Sequence, residues 1–108
     1  MIARIWYGYT SPQNADAYEV LLRTEIFPGI LARDIAGFLR IELLRAPVDE
    51  GDEVEFATVM WFDTIESVKA FAGADYESAV VPPKARAVFK RFDARSRQYE
   101  VREQRDAR

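Results

Sequence analysis

Residues 59–71 have the sequence Val59-Met60-Trp61-Phe62-Asp63-Thr64-Ile65-Glu66-Ser67-Val68-Lys69-Ala70-Phe71, and this stretch decides the fold. The apolar run that ends at Phe62 predicts a buried strand. Asp63 and Glu66 have capping-box spacing, so a helix is predicted to begin within about two residues of the strand. Trp61 is therefore predicted at the carboxyl end of the strand, where it either belongs to the core or bounds a ligand site.

The first third of the chain predicts one strand and one long helix. Residues 2–10 alternate, are rich in strand-forming residues and end at Thr10-Ser11-Pro12. From Pro12 or Asn14 to Arg33 the apolar residues have helical spacing. Pro28-Gly29 is expected to break or kink this helix and to leave residues 30–33 as a short extra turn.

The rest of the chain predicts a hairpin, two helical segments and a last strand. Strands are expected at Gly37–Arg45 and Glu53–Phe62, joined by the acidic, turn-rich residues 46–52. A helix over Thr64–Ala72 follows. Residues 75–92 are predicted as a loop and a helix with Pro82-Pro83 near the helical start, Arg95–Glu103 as the last strand, and residues 103–108 as a frayed tail.

The resulting order is β-α-β-β-α-β without an internal repeat or a linker. It predicts a single α+β domain over residues 1–108, of the ferredoxin-like split βαβ type, with a four-stranded antiparallel sheet and helices on one face. The third strand is apolar on both faces, although the face without helices should be polar. We therefore expect a homodimer in which two sheets pack face to face.

The composition excludes several kinds of chemistry. The 108 residues include no cysteine and no histidine, which removes thiol nucleophiles, Ser-His-Asp triads, histidine-ligated haem and the usual zinc ligand sets. No metal site is expected, and no apolar run is long enough to cross a membrane. Nine of the 15 Lys and Arg residues lie in residues 84–108, but the net charge of −3 argues against nucleic-acid binding. A cytoplasmic location is the simplest interpretation.

The chain resembles the antibiotic biosynthesis monooxygenase family, whose members are ferredoxin-like subunits paired as dimeric α+β barrels. The resemblance covers nearly the full length. It is carried by Ile5-Trp6-Tyr7-Gly8-Tyr9, by the helix from Ala15-Asp16-Ala17-Tyr18 to Pro28-Gly29-Ile30, by Gly37-Phe38, and by Trp61-Phe62-Asp63 through Ala70-Phe71.

This resemblance implies a pocket between the sheet and the helices, in which some relatives oxidise phenols or quinols with dioxygen and without a cofactor. It implies that Trp61 stacks on the substrate and that Tyr76 hydrogen-bonds a substrate oxygen. Trp6 and Tyr7 of the aromatic first strand are further candidates for substrate binding, and Arg86 is a weaker catalytic candidate that could neutralise an anion. The strand asparagine of some active relatives is missing, so a non-catalytic protein that binds a small apolar or aromatic ligand is the alternative function.

Other polar residues have two possible interpretations. Arg4, Arg40 and Glu42 interrupt apolar strands and predict interstrand or interface ion pairs, with anion binding as the alternative. Asn14 is predicted to cap the first helix. The acidic residues of segment 49–55 predict a solvated hairpin tip rather than a calcium loop.

Overall fold

The computed structural model describes residues 1–47 and 51–108, and its centre is an antiparallel sheet. The strands are β1 (Ile2–Thr10), β2 (Phe38–Arg45), β3 (Val54–Phe62), β4 (Phe89–Phe92) and β5 (Arg97–Glu100). The helices are α1 (Pro12–Leu21), α2 (Phe27–Ala32), α3 (Ile65–Ala72) and α4 (Pro83–Val88), with a π-helical turn (Leu22–Ile26) between α1 and α2. No helix in the described ranges is long and apolar enough to cross a membrane.

The strand order β2-β3-β1-β4 confirms the predicted ferredoxin-like plan. Strand β1 is central and pairs along its full length with β3, and β2 pairs with the other edge of β3. The predicted hairpin of β2 and β3 is thus confirmed, although residues 48–50 of its connection lie outside the described residues. On the other side of β1, β4 pairs with one end and β5 with the other, so two short strands share the fourth position.

Strand β4 differs from the sequence prediction, which placed residues 89–92 in a helix. Phe89 and Phe92 are spaced as on one side of a helix, but both rings pack against Trp6 from a strand. The strand forms because Gly8 leaves room for Phe89: a Cβ at Gly8 would lie 2.6 Å from Cζ of that ring. A tertiary contact therefore overrides the local pattern.

The long first helix continues through Pro28 and Gly29 and is irregular one turn earlier than predicted. Pro28 has no N–H with which to bond the Thr24 carbonyl. Within the preceding turn, the Phe27 N–H bonds the Leu22 carbonyl, five residues back, and the Thr24 hydroxyl donates to the Val20 carbonyl at 2.7 Å. The turn before Pro28 is consequently wider than an α-helical turn.

The residues predicted to cap α3 and α1 make other contacts in the structure. Thr64 caps α3, because its hydroxyl accepts from the Ser67 N–H at 3.3 Å, while Asp63 accepts from the Ser67 hydroxyl at 2.6 Å. Asn14 lies inside α1 and donates to the Val88 carbonyl at 3.3 Å instead of capping its own helix. The first of these contacts fixes the short junction between β3 and α3, and the second joins α1 to α4.

Two apolar clusters lie between the sheet and the helices. One is built around Tyr18 and Phe56, and the other around Phe62 and Phe71. All four of these side chains are buried, and none is more than 8% exposed. The space between the two clusters is where the candidate site lies.

A pair of glycine substitutions tests the packing of β4. Gly8→Ala is expected to destabilise the fold by about 1–3 kcal/mol, because the new methyl group must displace the Phe89 ring. Gly29→Ala is the control: a Cβ there meets no atom within 4 Å, so the change should stabilise α2 by about 0.5–1 kcal/mol. Urea denaturation measures both; a neutral Gly8→Ala would contradict the tight contact.

Candidate functional site

A cavity of about 200 Å³ lies between the helix-covered face of the sheet and the helices, where the family resemblance implies a pocket. Apolar side chains form most of its wall. It reaches the surface, because Val80, which helps to line it, is 46% exposed. A cavity of about 150 Å³ is large enough to bind benzene, so this one has room for a single substituted ring. The polar groups in its wall are Arg4, Trp6, Tyr18, Arg33 and Thr58.

Arg4 is the charged group buried in this wall. Strand alternation places it on the helix side of β1, opposite Met60, and it is only 4% exposed. Its guanidinium donates to the carbonyl oxygens of Tyr76 and Ser78, the latter at 3.1 Å, and to Gln98 Oε1 at 2.6 Å. These contacts hold the guanidinium in one position at the side of the cavity.

The charge of Arg4 has no counter-ion in the described part of the chain, because no carboxylate there lies within ion-pair distance of it. Burial lowers the pKa of Arg4 to about 10, so the group still carries its charge near neutral pH. An unpaired buried charge is costly, and neutral acceptors offset only part of that cost. The predicted interstrand ion pair of Arg4 is therefore absent among the described residues. Arg40 and Glu42 are paired at 3.3 Å, but within strand β2 rather than between strands, and an ion pair across an interface stays a prediction.

The hydrogen-bonding capacity of Arg4 is also not used up. A guanidinium has five N–H donors. Three of them are used, two on Nη1 and one on Nη2. The Nε donor and one Nη2 donor have no acceptor among the described residues. An anion in the cavity would supply both the missing charge and an acceptor.

Tyr18 and Thr58 form a neutral polar pair in the same wall. Tyr18 is 2% exposed, and its ring lies between Phe56 and Phe89, with centroids 4.8 and 4.6 Å away. Burial raises the pKa of Tyr18 to about 12, and a hydrogen bond with Thr58 opposes this shift. The phenol is consequently neutral at physiological pH and can donate a hydrogen bond.

Arg33 supplies a second positive charge at the cavity. It extends from the end of α2 and is exposed, and its guanidinium donates to the Phe71 carbonyl at 3.2 Å. The guanidinium carbons of Arg33 and Arg4 lie 5.2 and 5.5 Å from the centroid of the Phe71 ring. Both contacts are of the cation–π type, so the cavity has a positive electrostatic potential near this ring.

The structure separates the aromatic residues that the sequence grouped together. Trp6 lines the cavity; its indole N–H donates to the Asp93 carbonyl at 2.6 Å. Trp61 lies on the opposite, helix-free face of the sheet, where its indole N–H donates to Glu42 Oε1 at 2.6 Å. Tyr7 shares that outer face and is 36% exposed. Neither Trp61 nor Tyr7 lines the cavity, and a role of either in substrate binding stays a prediction.

The two predicted catalytic residues also lie outside the cavity wall. Tyr76 packs against the cluster around Phe71, and its carbonyl oxygen accepts from Arg4. Arg86 is exposed on α4, with its guanidinium carbon 5.1 Å from the centroid of the Phe92 ring. A catalytic role for either side chain stays a prediction. Tyr76 contacts the site through Arg4, by its main chain.

The acidic hairpin segment forms ion pairs. Asp52 accepts from Lys90, and Glu53 accepts two hydrogen bonds of 2.9 Å from Arg91, while Asp49 and Glu50 lie outside the described residues. The described ranges hold no group of three acidic side chains that could bind a metal ion.

Comparisons with known proteins identify the fold. No family model and no curated protein matches the chain. The structure is similar to that of a Bacillus cereus protein described as a presumptive antibiotic biosynthesis monooxygenase, with a TM-score of 0.66, 14% identity, and coverage of 98% of this chain and 97% of that one. It is also similar to an ethyl tert-butyl ether D (EthD) family protein from Bacillus halodurans, with a TM-score of 0.51, 17% identity, and coverage of 94% and 99%.

These likenesses confirm the predicted α+β ferredoxin-like fold over nearly the full chain. At 14% and 17% identity they establish the architecture alone, because proteins that share a fold differ widely in their reactions.

Filling the cavity tests whether it is the binding site of the protein. Val81→Phe places a ring at the cavity wall and is expected to weaken binding of a one-ring aromatic such as 4-nitrophenolate by at least about 10-fold, at a stability change of about 1 kcal/mol. Val20→Phe, at a helix position that is 59% exposed and outside the cavity, should leave binding unchanged. Absorbance titration measures both; equal losses in the two variants would place binding elsewhere.

Proposed function

We propose that the protein binds a phenolic or quinol-type small molecule as its anion in the cavity and oxidises it with dioxygen, without a metal or flavin. The observation that carries this proposal is the buried guanidinium of Arg4, which has no carboxylate partner in the described residues and two donors to spare. Positive charge at a developing or resident oxyanion is worth most in a site from which water is excluded.

The size and lining of the cavity favour an aromatic ligand. About 200 Å³ holds one substituted ring, and the apolar wall suits its faces. Arg4 would bind the ionised oxygen of such a ring, and the Phe71 ring beside both guanidiniums would be part of the same wall. A neutral hydrocarbon would leave the charge of Arg4 without a partner.

The oxidation itself needs no further reductant. A phenolate passes one electron to dioxygen, which gives a phenoxyl radical and superoxide. The two radicals combine at a ring carbon that lies ortho to the phenoxyl oxygen and carries a hydrogen, and they form a C–O bond. The O–O bond then breaks, this carbon loses its hydrogen as a proton, and the outer oxygen leaves as water. One phenol and one dioxygen thus give one ortho-quinone and one water, with four electrons moving from the ring to oxygen.

In this proposal the protein acts by binding and by electrostatics. Arg4 would stabilise the anion, and the apolar wall together with the bound ligand would keep water from the radical pair. Tyr76 would contribute through its carbonyl oxygen, which orients Arg4. The similarity to the Bacillus cereus protein, whose description names a monooxygenase, supports the proposal without identifying a substrate.

A second candidate function is a protein that binds the same aromatic anion without oxidising it. This alternative is favoured by the composition of the cavity wall. Among the described residues, the wall contains no carboxylate that could accept a proton from the ligand and no asparagine that could accept a hydrogen bond from it. Both candidates require Arg4 for binding and differ only in turnover.

We further propose that the protein is a homodimer in which the helix-free faces of two sheets pack together. Three exposed apolar side chains support this: Tyr7, Leu44 and Tyr99, at 36%, 49% and 49%, lie on that face beside Trp61. A second copy would cover them. A cytoplasmic location is proposed from the cysteine-free sequence.

Oxygen uptake distinguishes the two functions and tests Arg4. Metal-stripped protein should consume dioxygen with a panel of hydroquinones and naphthols above the uncatalysed rate. Arg4→Met is expected to lower kcat/KM by about 100-fold or more, because the anion loses its counter-ion. Arg23→Met removes an arginine that is 75% exposed at its side chain and outside the cavity, and should keep the wild-type rate.

Three results would count against parts of this picture. Background uptake together with Arg4-dependent binding of the panel would support the non-catalytic alternative. Equal activity of Arg4→Met and the wild type, with both folded by circular dichroism, would remove Arg4 from the mechanism. Absence of any binding would contradict both functions.

Sedimentation equilibrium tests the dimer. The wild type should have twice the mass of one chain, and Tyr7→Lys should shift the equilibrium to monomer, because a buried lysine without a partner would lie at the centre of the contact. Leu31→Lys makes the same kind of change at a residue that is 57% exposed on α2, the helix side, and should stay dimeric. A monomeric wild type at micromolar concentration would end the dimer proposal.

A further inference from the structure

We propose that the Tyr18 hydroxyl is the second polar anchor of the cavity and donates a hydrogen bond to a neutral oxygen that the ligand carries across the ring from the anionic oxygen bound by Arg4. This inference rests on the proposed function and deepens it, because it specifies where the two oxygens of the ligand must lie. A ring with one oxygen would use only Arg4.

Tyr18 is held too firmly to act as a flexible lining residue. Its ring is in contact with Phe56 and Phe89 at centroid distances of 4.8 and 4.6 Å, and the residue is 2% exposed. The hydroxyl group therefore has a fixed position in the cavity wall, to which Thr58 also belongs. A fixed donor can discriminate between ligands that differ only in the placement of an oxygen.

The proton of the Tyr18 hydroxyl is available to a ligand. Thr58 is close enough to this hydroxyl to oppose the rise in the pKa of Tyr18. None of the hydrogen bonds found among the described residues has the Tyr18 hydroxyl as donor. A phenolic donor in an apolar wall is stabilised by an acceptor, and a ligand oxygen in the cavity can supply it.

The strand register separates Arg4 from Thr58, the residue beside the Tyr18 hydroxyl. Arg4 is opposite Met60 on β3, and Thr58 is two residues away, opposite Trp6. Diagonal neighbours of this kind have side chains about 7–8 Å apart at their roots. Arg4 then extends away from β3, towards Gln98 on β5, which increases the separation from Thr58. We therefore expect a ligand that reaches both anchors to carry its oxygens on opposite sides of a ring.

Two isomeric dyes test this geometry. In 4-nitrophenolate the nitro oxygens lie across the ring from the phenolate oxygen, and in 2-nitrophenolate they lie beside it. The charge and the atoms are the same. Binding is measured by absorbance at a pH where both dyes are ionised. The wild type should prefer the para isomer by roughly 5- to 10-fold, as one hydrogen bond allows.

Tyr18→Phe removes only the hydroxyl and keeps the packing against Phe56 and Phe89. It should reduce the preference to less than about 2-fold by weakening the para isomer alone. Tyr99→Phe, at an exposed tyrosine outside the cavity, should keep the wild-type preference. Thr58→Val should reduce the preference partly, because the Tyr18 hydroxyl would lose its polar neighbour in the wall. A general loss of structure would instead weaken both isomers equally.

The outcomes separate this inference from the proposed function. If both isomers bind, Arg4→Met weakens both, and Tyr18→Phe retains the wild-type ratio, the second anchor is refuted while the proposed function stands. If Arg4→Met changes neither isomer, or if the wild type binds neither, the proposed function fails and this inference with it. Selective loss of the para isomer in Tyr18→Phe supports the assignment.

Discussion

The guanidinium of Arg4 is the group on which the site and one side of the sheet both depend. It extends from the central strand and joins β1 to the segment of Tyr76 and Ser78 and to Gln98 on β5. These elements are distant in sequence, so one side chain fixes where the chain after α3 returns to the sheet. A lysine could not replace Arg4 here, because only the planar guanidinium group presents several N–H donors in fixed directions to separate acceptors.

The cavity exists because the two apolar clusters do not merge. Because Gly8 has no side chain, Phe89 can lie against the sheet. The rings of Phe89 and Phe56 then pack against Tyr18 and hold it in the cavity wall near Thr58. On the opposite side, the π-helical turn before Pro28 widens the helix at Leu22 and Ile26, both of which line the cavity. Pi-helical turns of this kind are common at functional sites. The π-helical turn thus forms part of the wall of the cavity.

Much of the fold was predictable from the sequence because it depends on local patterns. Alternation and turn residues located β1, β2 and β3 to within one residue. The split fourth strand was not predictable, since Phe89 and Phe92 also suit a helix and only the contact with Gly8 decides between the two. In α1 and the π-helical turn that follows it, the buried stripe is Ala15, Tyr18 and Leu22, whereas Val20, which fits the helical spacing, is 59% exposed.

The candidate site was harder to predict than the fold, because the sequence does not show which face of the sheet the helices cover. Period-two alternation already placed Arg4 and Trp6 on one face of β1, and Trp61 on the other face of β3 relative to Phe62. It could not show which face the helices cover at the carboxyl end of β3. Nor could it show that Arg4 lacks a carboxylate partner among the described residues, because that requires the positions of the charged side chains. Trp61, which directly precedes a capped helix, was prominent in the sequence, but it lies on the helix-free face of the sheet and does not line this cavity.

The electrostatics of the cavity explain how a site without a general base could still bind a phenolate. A free phenol has a pKa near 10, and a neighbouring positive charge lowers such a pKa by about 1–3 units, while burial acts in the opposite direction. At about 4 Å and an effective dielectric constant near 20, the attraction of one guanidinium is about 4 kcal/mol, equivalent to about three pKa units. Arg4 could therefore bring the pKa of a bound phenol close to neutrality, and the proton could be released to solvent at the open side of the cavity. Under this view the absence of a carboxylate beside Arg4 in the described residues has a function. A carboxylate there would compete with the ligand for Arg4, and its negative charge would raise the pKa of the bound phenol.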